Sequence, residues 1–437
     1  MPEWKQKTFG FPSFDRRKIE ANFEGGNVSS DGGVILLRQV DRKLGLTKAL
    51  DEVLPDRRDP SAITHSQVDL LRQRIYGLAL GYEDLNDHAT LREDLLWQSA
   101  IDRDSPLASS PTLCRFENRI NRRAAYEMHE VLVNQFIASF EKAPEELILD
   151  FDATDDRVHG NQEGRFFHGY YGDYCFLPLY VFCGDQLLVA WLRQSNRDAS
   201  AGSLSVLKRL VAKLRKAWPK VRIIVRADSG FCRWKFMKWC EENDVFYILG
   251  LARNTRLEAL GVILQVDATL KWIRTDQKQR LFGEFTYMAG SWDRHRRVIH
   301  KAEHSRLGAN PRFIVTNLTG DPQELYDSLY CARGEMENRI KEQQLGLFAD
   351  RTSCQKWWAN QFRLLLSACA YVLVEALRRT GLKGTEMERA QVGTIRLKLL
   401  KLGTIIVRNT RRIRLLFSSA FVHKECFILL CRRFAPE

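Results

Sequence analysis

The sequence predicts an α/β protein, with a mixed sheet in the middle of the chain set between two helical regions. Three observations carry this. Residues 1–143 place apolar side chains at helical spacing behind cap residues. From residue 146 short apolar runs alternate with turns and amphipathic helices. Residues 351–437 return to a helical, basic pattern.

The bulk numbers agree with a folded chain of two or three domains: 437 residues, 45% hydrophobic and 28% charged. The 67 basic residues outnumber the 54 acidic ones, a net charge of +13, which favours a polyanionic partner, nucleic acid above all. Ten cysteines include no CxxC pair and follow no secretory signal, and no apolar run reaches the length of a membrane span. Reduced thiols, a cytoplasmic location and no membrane partner are expected.

In the N-terminal region "SSDGGVILLRQVDRKLGL" is read as a helix capped at Ser29, Ser30 or Asp31, and "THSQVDLLRQRIYGLALG" as one opened by a Thr64–Gln67 capping box. A third helix has Ser110 as cap and Pro111 in its first turn, then carries Arg115, Arg119, Arg122 and Arg123. The middle region begins with the strand "LILDFDA". Two further strands, "YCFLPLYVF" and "QLLVAWLR", are joined by the turn Cys183-Gly184-Asp185. A helix with Leu207, Leu210 and Leu214 on one face follows, then the strand "VRIIVRADSGF", the helix "RWKFMKWCEEN" and the strand "VFYILGLAR". Three strands, helix, strand, helix, strand is the order of a ribonuclease H-like sheet. Residues 254–311 read as a β-rich insertion. The sheet pattern resumes with "RFIVTNL", and a helix opens at Asp321 with Pro322 and Glu324 behind it.

The candidate chemistry lies in two places. "LILDFDATDD" runs a strand into four aspartates, and strand alternation puts Asp150 and Asp152 on one face. Adjacent buried anions need a counter-charge, a metal ion or a basic partner. Either Asp150 or Asp152 would be the acid that meets it, and Asp155 and Asp156 read as turn residues. In "YCARGEMENRIKEQQ", Tyr330, Arg333, Glu337 and Lys341 are spaced three, four and four apart, so they stack along one helix face. A surface salt-bridge ladder would look the same. In a ribonuclease H-like sheet, however, Asp152 at the end of the first strand and Asp228 at the end of the fourth would be neighbours, and Glu337 would join them from the helix. Three carboxylates make a hard-oxygen site suited to two Mg²⁺ ions and to in-line attack on a phosphodiester, with Tyr330, Arg333 and Lys341 placed to contact DNA.

The stretches "LDFDATDDRVHGNQEGRFFHGYYGDYCFLPLYVFCGDQLLVAWLR", "SNRDASAG", "VRADSGF" and "MENRIKE" resemble the DDE transposases of bacterial insertion sequences, the thirteen-eighty family in particular. The resemblance implies a ribonuclease H-like catalytic domain over 144–350 with a β-rich insertion at about 254–311. It also implies a DNA-end-binding helical region over 1–143 and a basic helical region over 351–437. The activity implied is metal-dependent cutting at terminal inverted repeats and joining of the 3′ ends to target DNA. The partners implied are double-stranded DNA and a second copy in a synaptic homodimer, in a nucleoid-associated protein. The Asp-x-Thr motif falls on Asp152 and Thr154, the second acid on Asp228 and the third on Glu337. Two Mg²⁺ ions are implied, with Mn²⁺ as a substitute. Tyr330, Arg333 and Glu337 match a Tyr-x2-Arg-x3-Glu-x6-Lys signature, but its last position is Gln344, so Lys341 would act from a turn earlier. Two other readings remain: a DNA-binding descendant without catalysis, and a nuclease without strand transfer.

Trp292, followed by "DRHRR" in the insertion, is read as a residue that stacks on a displaced base or as an ordinary strand aromatic. From Thr394 onward ten Lys or Arg face only Glu425 and Glu437, and "IRLKLLKLGTIIVRNTRRIRLLF" reads as an amphipathic helix in contact with DNA.

Overall fold

The structure, a computed structural model, describes residues 8–435. The chain forms two compact units, one of residues 1–51, 56–116 and 376–437, the other of residues 52–55 and 117–375.

The first unit gathers segments from the N-terminal and C-terminal regions around buried polar groups. Asp31 is 1% exposed and accepts hydrogen bonds from Tyr82 Oη (2.9 Å), Trp97 Nε1 (2.8 Å) and Lys401 Nζ (2.8 Å). One carboxylate thus ties three segments far apart in sequence. It also delays the first helix, which runs Val34–Leu44 rather than starting at Ser29–Asp31. Gly32 and Gly33 lie so close to the backbone of residues 399–402 that a Cβ at either would meet a carbonyl oxygen, at 2.6 Å from Leu402 O and 2.3 Å from Leu399 O. A later helix, Gln67–Leu80, is capped by Ser66 and Asp69 in a reciprocal box, not by Thr64 and Gln67. A hairpin, Phe9–Phe14 with Arg17–Ala21, precedes these helices.

The C-terminal segment departs from the expected helix. Helical turns stop at Leu400, Thr404–Arg408 and Ile413–Phe417 form an antiparallel pair that adds Val28–Ser29 as a third strand, and a helix resumes at Lys424–Arg433. Gly403 interrupts the helix, and the β-branched run Thr404-Ile405-Ile406-Val407 packs better on a pleated surface. No helix among the described residues is long and apolar enough to cross a membrane.

The second unit is built on a nine-stranded mixed sheet. Its strands are β1 (Glu146–Ala153), β2 (Leu179–Cys183), β3 (Gln186–Trp191), β4 (Arg222–Ala227), β5 (Phe246–Leu251), β6 (Gln279–Tyr287), β7 (Arg296–Ser305) and β8 (Arg312–Thr316), with the short strand Gly308–Ala309 beside β7. The spatial order is β6-β7-β8-β5-β4-β1-β2-β3. β4 runs parallel to both β1 and β5, and the other pairs are antiparallel. The run "YCFLPLYVF" is broken at Leu177-Pro178, so that Asp173–Phe176 pairs with two short strands of its own before β2 begins.

Strand alternation decides which side each residue serves. Leu147, Leu149 and Phe151 face a core completed by helices α1 (Arg122–Ala138), α2 (Ser203–Ala217) and α3 (Trp234–Glu242). The opposite face carries Ile224, Ile248, Ile299 and Ile314, with Ile148 packed on them, and is covered by Tyr326 and Tyr330. Asp150 and Asp152 share this second face with Ile148.

The insertion begins with a helix, α4 (Thr255–Thr275), capped by Asn254 on the Leu257 amide. Its Val262, Ile263, Val266 and Ile273 gave the segment its strand-like composition. What selects the helix is the cap and the inward row Leu257, Gly261 and Ala268. Its strands are no separate layer: β6 and β7 extend the main sheet through β8.

Candidate active site

Two rows of charged side chains cross the β1–β4 boundary. In the first, Arg226 and Asp150 are register partners on parallel strands. Both are buried, and Arg226 donates to Asp150 through Nε and through Nη2, the latter at 2.7 Å. Arg226 Nη1 also donates to the carbonyl of Leu329, at 2.5 Å. The buried pair therefore anchors the helix that follows β8 to the strands. Burial raises the Asp150 carboxyl above the usual range, and the Arg226 guanidinium opposes that shift.

One step along the same face come the predicted acids. The last register pair is Ala227 with Phe151, so Asp228 leaves β4 beside Asp152, at the ~4.8 Å spacing of adjacent strands. Asp228 turns back to accept from the Gly230 amide at 2.8 Å, which caps the single turn Ser229–Phe231. The helix from Pro322 to Gly346 arrives over this end. Asp321 caps it, accepting from the Glu324 amide at 2.9 Å, as its sequence predicts. It is irregular: wide π-type turns over Leu325–Tyr330 and Glu342–Gly346 flank regular α5 (Gly334–Lys341).

Arg333 is the centre of the second row. Its Nη2 donates to Glu337 Oε1 at 2.6 Å and its Nη1 to Asp152 Oδ2 at 3.5 Å. Burial, with the charges of Asp228 and Glu337, pushes the Asp152 carboxyl up to about 6, and only Arg333 and the Ala153 amide act against it. The Tyr330 hydroxyl is also raised, first by burial, with Arg333 opposing and Asp228 adding to the shift. Asp152, Asp228, Glu337, Arg333 and Tyr330 are thus brought together.

Other predicted residues are placed elsewhere. Lys341 is exposed at the end of α5 and makes no ion pair among the described residues. Gln344, at the signature's last position, donates to the carbonyl of Asp155 at 3.1 Å. Trp292 is only 8% exposed, in the turn between β6 and β7, with its ring 5.5 Å from Tyr287 and Arg296 over its face. A base cannot stack on it in this position; it is a core aromatic. Asp150 is engaged with Arg226, whereas Asp152 accepts from the Ala153 amide at 2.9 Å and, at 3.5 Å, from Arg333.

Three contributors were not singled out from sequence. Arg226 stands two residues before Asp228 as Asp150 stands two before Asp152, and that matched spacing on paired strands was the available signal. Gly250 of β5 had none: a Cβ there would lie 2.6 Å from Tyr330 Oη and 2.8 Å from the Ser229 amide. Tyr171, whose hydroxyl is pushed up to about 12 by burial and by Asp155 and Asp152, borders the same acids.

The donor set fits hard divalent cations in kind: three carboxylates with one guanidinium among them. Among the described residues, no three acidic, histidine or cysteine side chains are already disposed around one ion position. Arg333 occupies the space between two of the acids.

A mixed sheet whose parallel strand ends gather acids under an irregular helix defines an α/β enzyme domain with an anionic site. Over residues 11–436 the chain matches the family model described as Transposase DDE domain group 1, and it belongs to that family. It is a DDE transposase, of a family of enzymes that act on DNA. A search of the curated proteins finds no match. Among solved structures, the cryo-EM structure of the piggyBac transposase synaptic complex with hairpin DNA is similar at 10% identity and a TM-score of 0.40, over 85% of this chain and 80% of that one. A likeness at that distance transfers no residue roles.

Proposed function

We propose that this protein is the transposase of an insertion sequence of the thirteen-eighty family. It binds the terminal inverted repeats, cuts the element ends and joins the 3′ ends to target DNA. The catalytic part is residues 144–350, read as a ribonuclease H-like domain, and residues 1–143 bind the ends. The partners are double-stranded element ends, target DNA and a second copy in a synaptic homodimer, in a cytoplasmic, nucleoid-associated protein. The observation that carries the reading is the meeting of Asp152, Asp228 and Glu337 around a single guanidinium.

Asp152, Asp228 and Glu337 would hold two Mg²⁺ ions, or Mn²⁺ in their place. Bound there, the ions would supply activation of a water or 3′-hydroxyl and stabilisation of the leaving oxygen. The chain's own contribution is positional. Asp152 and Asp228 are fixed by adjacent strands, Glu337 comes from a helix anchored through Leu329, and Arg333 screens the acids from one another. When a phosphodiester enters, Arg333 is placed to turn from carboxylate to phosphate, which frees Glu337.

Labelled element ends and a circular target, incubated with Mg²⁺ and separately with Ca²⁺, test this. Nicks at the ends and joined products are expected with Mg²⁺. Asp228→Asn and Glu337→Gln should each lose cutting by about a thousandfold or more while binding the ends almost normally. Cuts without joining would leave a nuclease, and binding without cuts a DNA-binding protein. Cutting by either variant at the original rate would refute the site.

A further inference from the structure

On the opposite face of the sheet, at the same end as the acids, a cavity of about 990 Å³ opens between α1, α2 and the edge strand β3. Its floor is apolar, with Leu179 and Val189, and its rim is basic. Arg122 and Arg197 on that rim are exposed and make no ion pair with the protein among the described residues. Arg193 is 7% exposed. It donates through Nε to Leu177 O at 2.9 Å and through Nη1 to Ala199 O and Ala201 O at 2.7 and 2.9 Å, while its Nη2 has no partner. Asp198, whose charge acts on Arg193, already pairs with Arg233, and a bound anion would offset the remaining cost of burying the guanidinium. The two wall acids are already engaged, Glu130 with Lys213 at 2.5 Å and Glu163 with the Trp357 amide at 3.0 Å.

The cavity also offers ring faces. The Arg209 guanidinium lies over the Tyr126 ring, 4.7 Å from its centre, a cation–aromatic layer formed before any ligand arrives. Trp191, at the end of β3, is half-buried, with its ring 5.3 Å from that of His129 and 6.4 Å from that of Trp358. Strand register sets the distance to the acids. Ala153 pairs with Leu179 and Leu179 with Trp191, so Trp191 lies two strand spacings, about 10 Å, from the residue after Asp152. The segment that carries Arg197 also reaches the second acid, since Ala199 abuts Gly230 and Asp198 pairs with Arg233 at 2.5 Å.

Cations for phosphates and aromatic faces for bases, around an apolar floor, are the means by which proteins hold unpaired nucleic acid. A duplex keeps its base faces stacked inside and cannot use them. We infer that this cavity receives an unpaired stretch of the DNA strand next to the acidic site, with phosphates on Arg122, Arg193 and Arg197 and a base against Trp191 or Tyr126. The inference rests on the reading of the chain as a transposase that acts on DNA.

The test uses the full chain in metal-free buffer, an eight-nucleotide oligothymidylate and a blunt mixed-sequence duplex, with affinity measured across a salt series. Arg122→Ala combined with Arg197→Ala should lower the single-strand salt slope by about 1.4, at ~0.7 per phosphate contact, and weaken that binding roughly tenfold near 0.15 M salt. Duplex binding should change less than about twofold. A 2-aminopurine in the oligonucleotide should be quenched on binding to the native protein and much less so with Trp191→Leu. An unchanged single-strand slope in a folded double variant overturns the inference, as does an equal loss for strand and duplex. Asp228→Asn should bind the oligonucleotide like the native protein. Failure of the catalytic reading would instead appear as no cutting by the native protein with Mg²⁺, which this measurement does not involve.

Discussion

Asp150 and Asp152 lie two residues apart on one face of β1, and their surroundings differ in a way that separates structure from chemistry. Asp150 meets one arginine, both are buried, and the remaining guanidinium nitrogen is used on Leu329 O. Asp152 shares one arginine with two other acids, three carboxylates to one guanidinium, and the Arg333–Asp152 contact is long at 3.5 Å. The first row is neutral and closed; the second keeps a surplus of two negative charges. A partly buried cluster that leaves its charges unbalanced suits the uptake of cations that the proposed function requires.

Breaking the closed row should have the largest effect. Arg226→Met leaves Asp150 buried without its partner and releases Leu329 O, and should destabilise the second unit by about 3–5 kcal/mol in chemical denaturation. Asp150→Leu with Arg226→Met should recover much of that loss, because no charge is then left buried. A double variant as unstable as the single one would mean that the tether to Leu329, not the charge pair, dominates.

The open row should respond with the opposite sign. A carboxyl raised to about 6 in the folded protein makes ionisation costly: the cost is absent below the unfolded value near 4 and complete above about 6. Metal-free Asp152→Asn should therefore be more stable than the native protein at pH 7.5, by up to about 3 kcal/mol, and equal to it near pH 3.5. Thermal midpoints across that pH range check it, and an Asn variant less stable at pH 7.5 would show Asp152 to be a structural partner like Asp150.

Gly250 sharpens the comparison from the side of packing. Gly250→Ala forces Tyr330 and the Asp228–Ser229 backbone apart, at about 1–3 kcal/mol of stability. It should lower cutting by ~100-fold, the cost of moving a reacting group by about 1 Å. Full activity in this variant would mean that the acids tolerate that displacement. The smallest effect is expected in DNA binding. Arg333→Ala should lower the salt slope for duplex ends by about 0.9, the share of one phosphate, and Lys341→Ala by the same amount if its exposed ammonium reaches DNA. No change in slope for Lys341→Ala would fit its place outside the second row.

The site was legible to the extent that chemistry is written in local pattern. Alternation put Asp150 and Asp152 on one face, the run "VRADSGF" ended a strand in an acid, and helical spacing aligned Arg333 with Glu337. The Asp321 cap followed from the same reasoning, and the neighbouring placement of β1 and β4 from the expected ribonuclease H-like strand order. The elements misread were those where propensity and context disagree. α4 is rich in β-branched residues yet helical because of its cap and its inward row. Residues 404–417 alternate basic and apolar as a helix face would, yet pair as strands because Val28–Ser29 offers a free edge.

By itself, then, the sequence put Asp150 and Asp152 on one strand face, ended a later strand in Asp228 and aligned Arg333 with Glu337, because each depends on neighbours within a few positions. Only the tertiary structure set the surroundings of Asp150 apart from those of Asp152, since the difference is made by Arg226, 76 residues away. It also buried Trp292 against Tyr287 and Arg296, and turned Gln344 to the Asp155 carbonyl. Those choices depend on which surfaces meet once the strands are paired. A charge's worth depends on burial and on the number of its partners, and neither is fixed until the chain has folded.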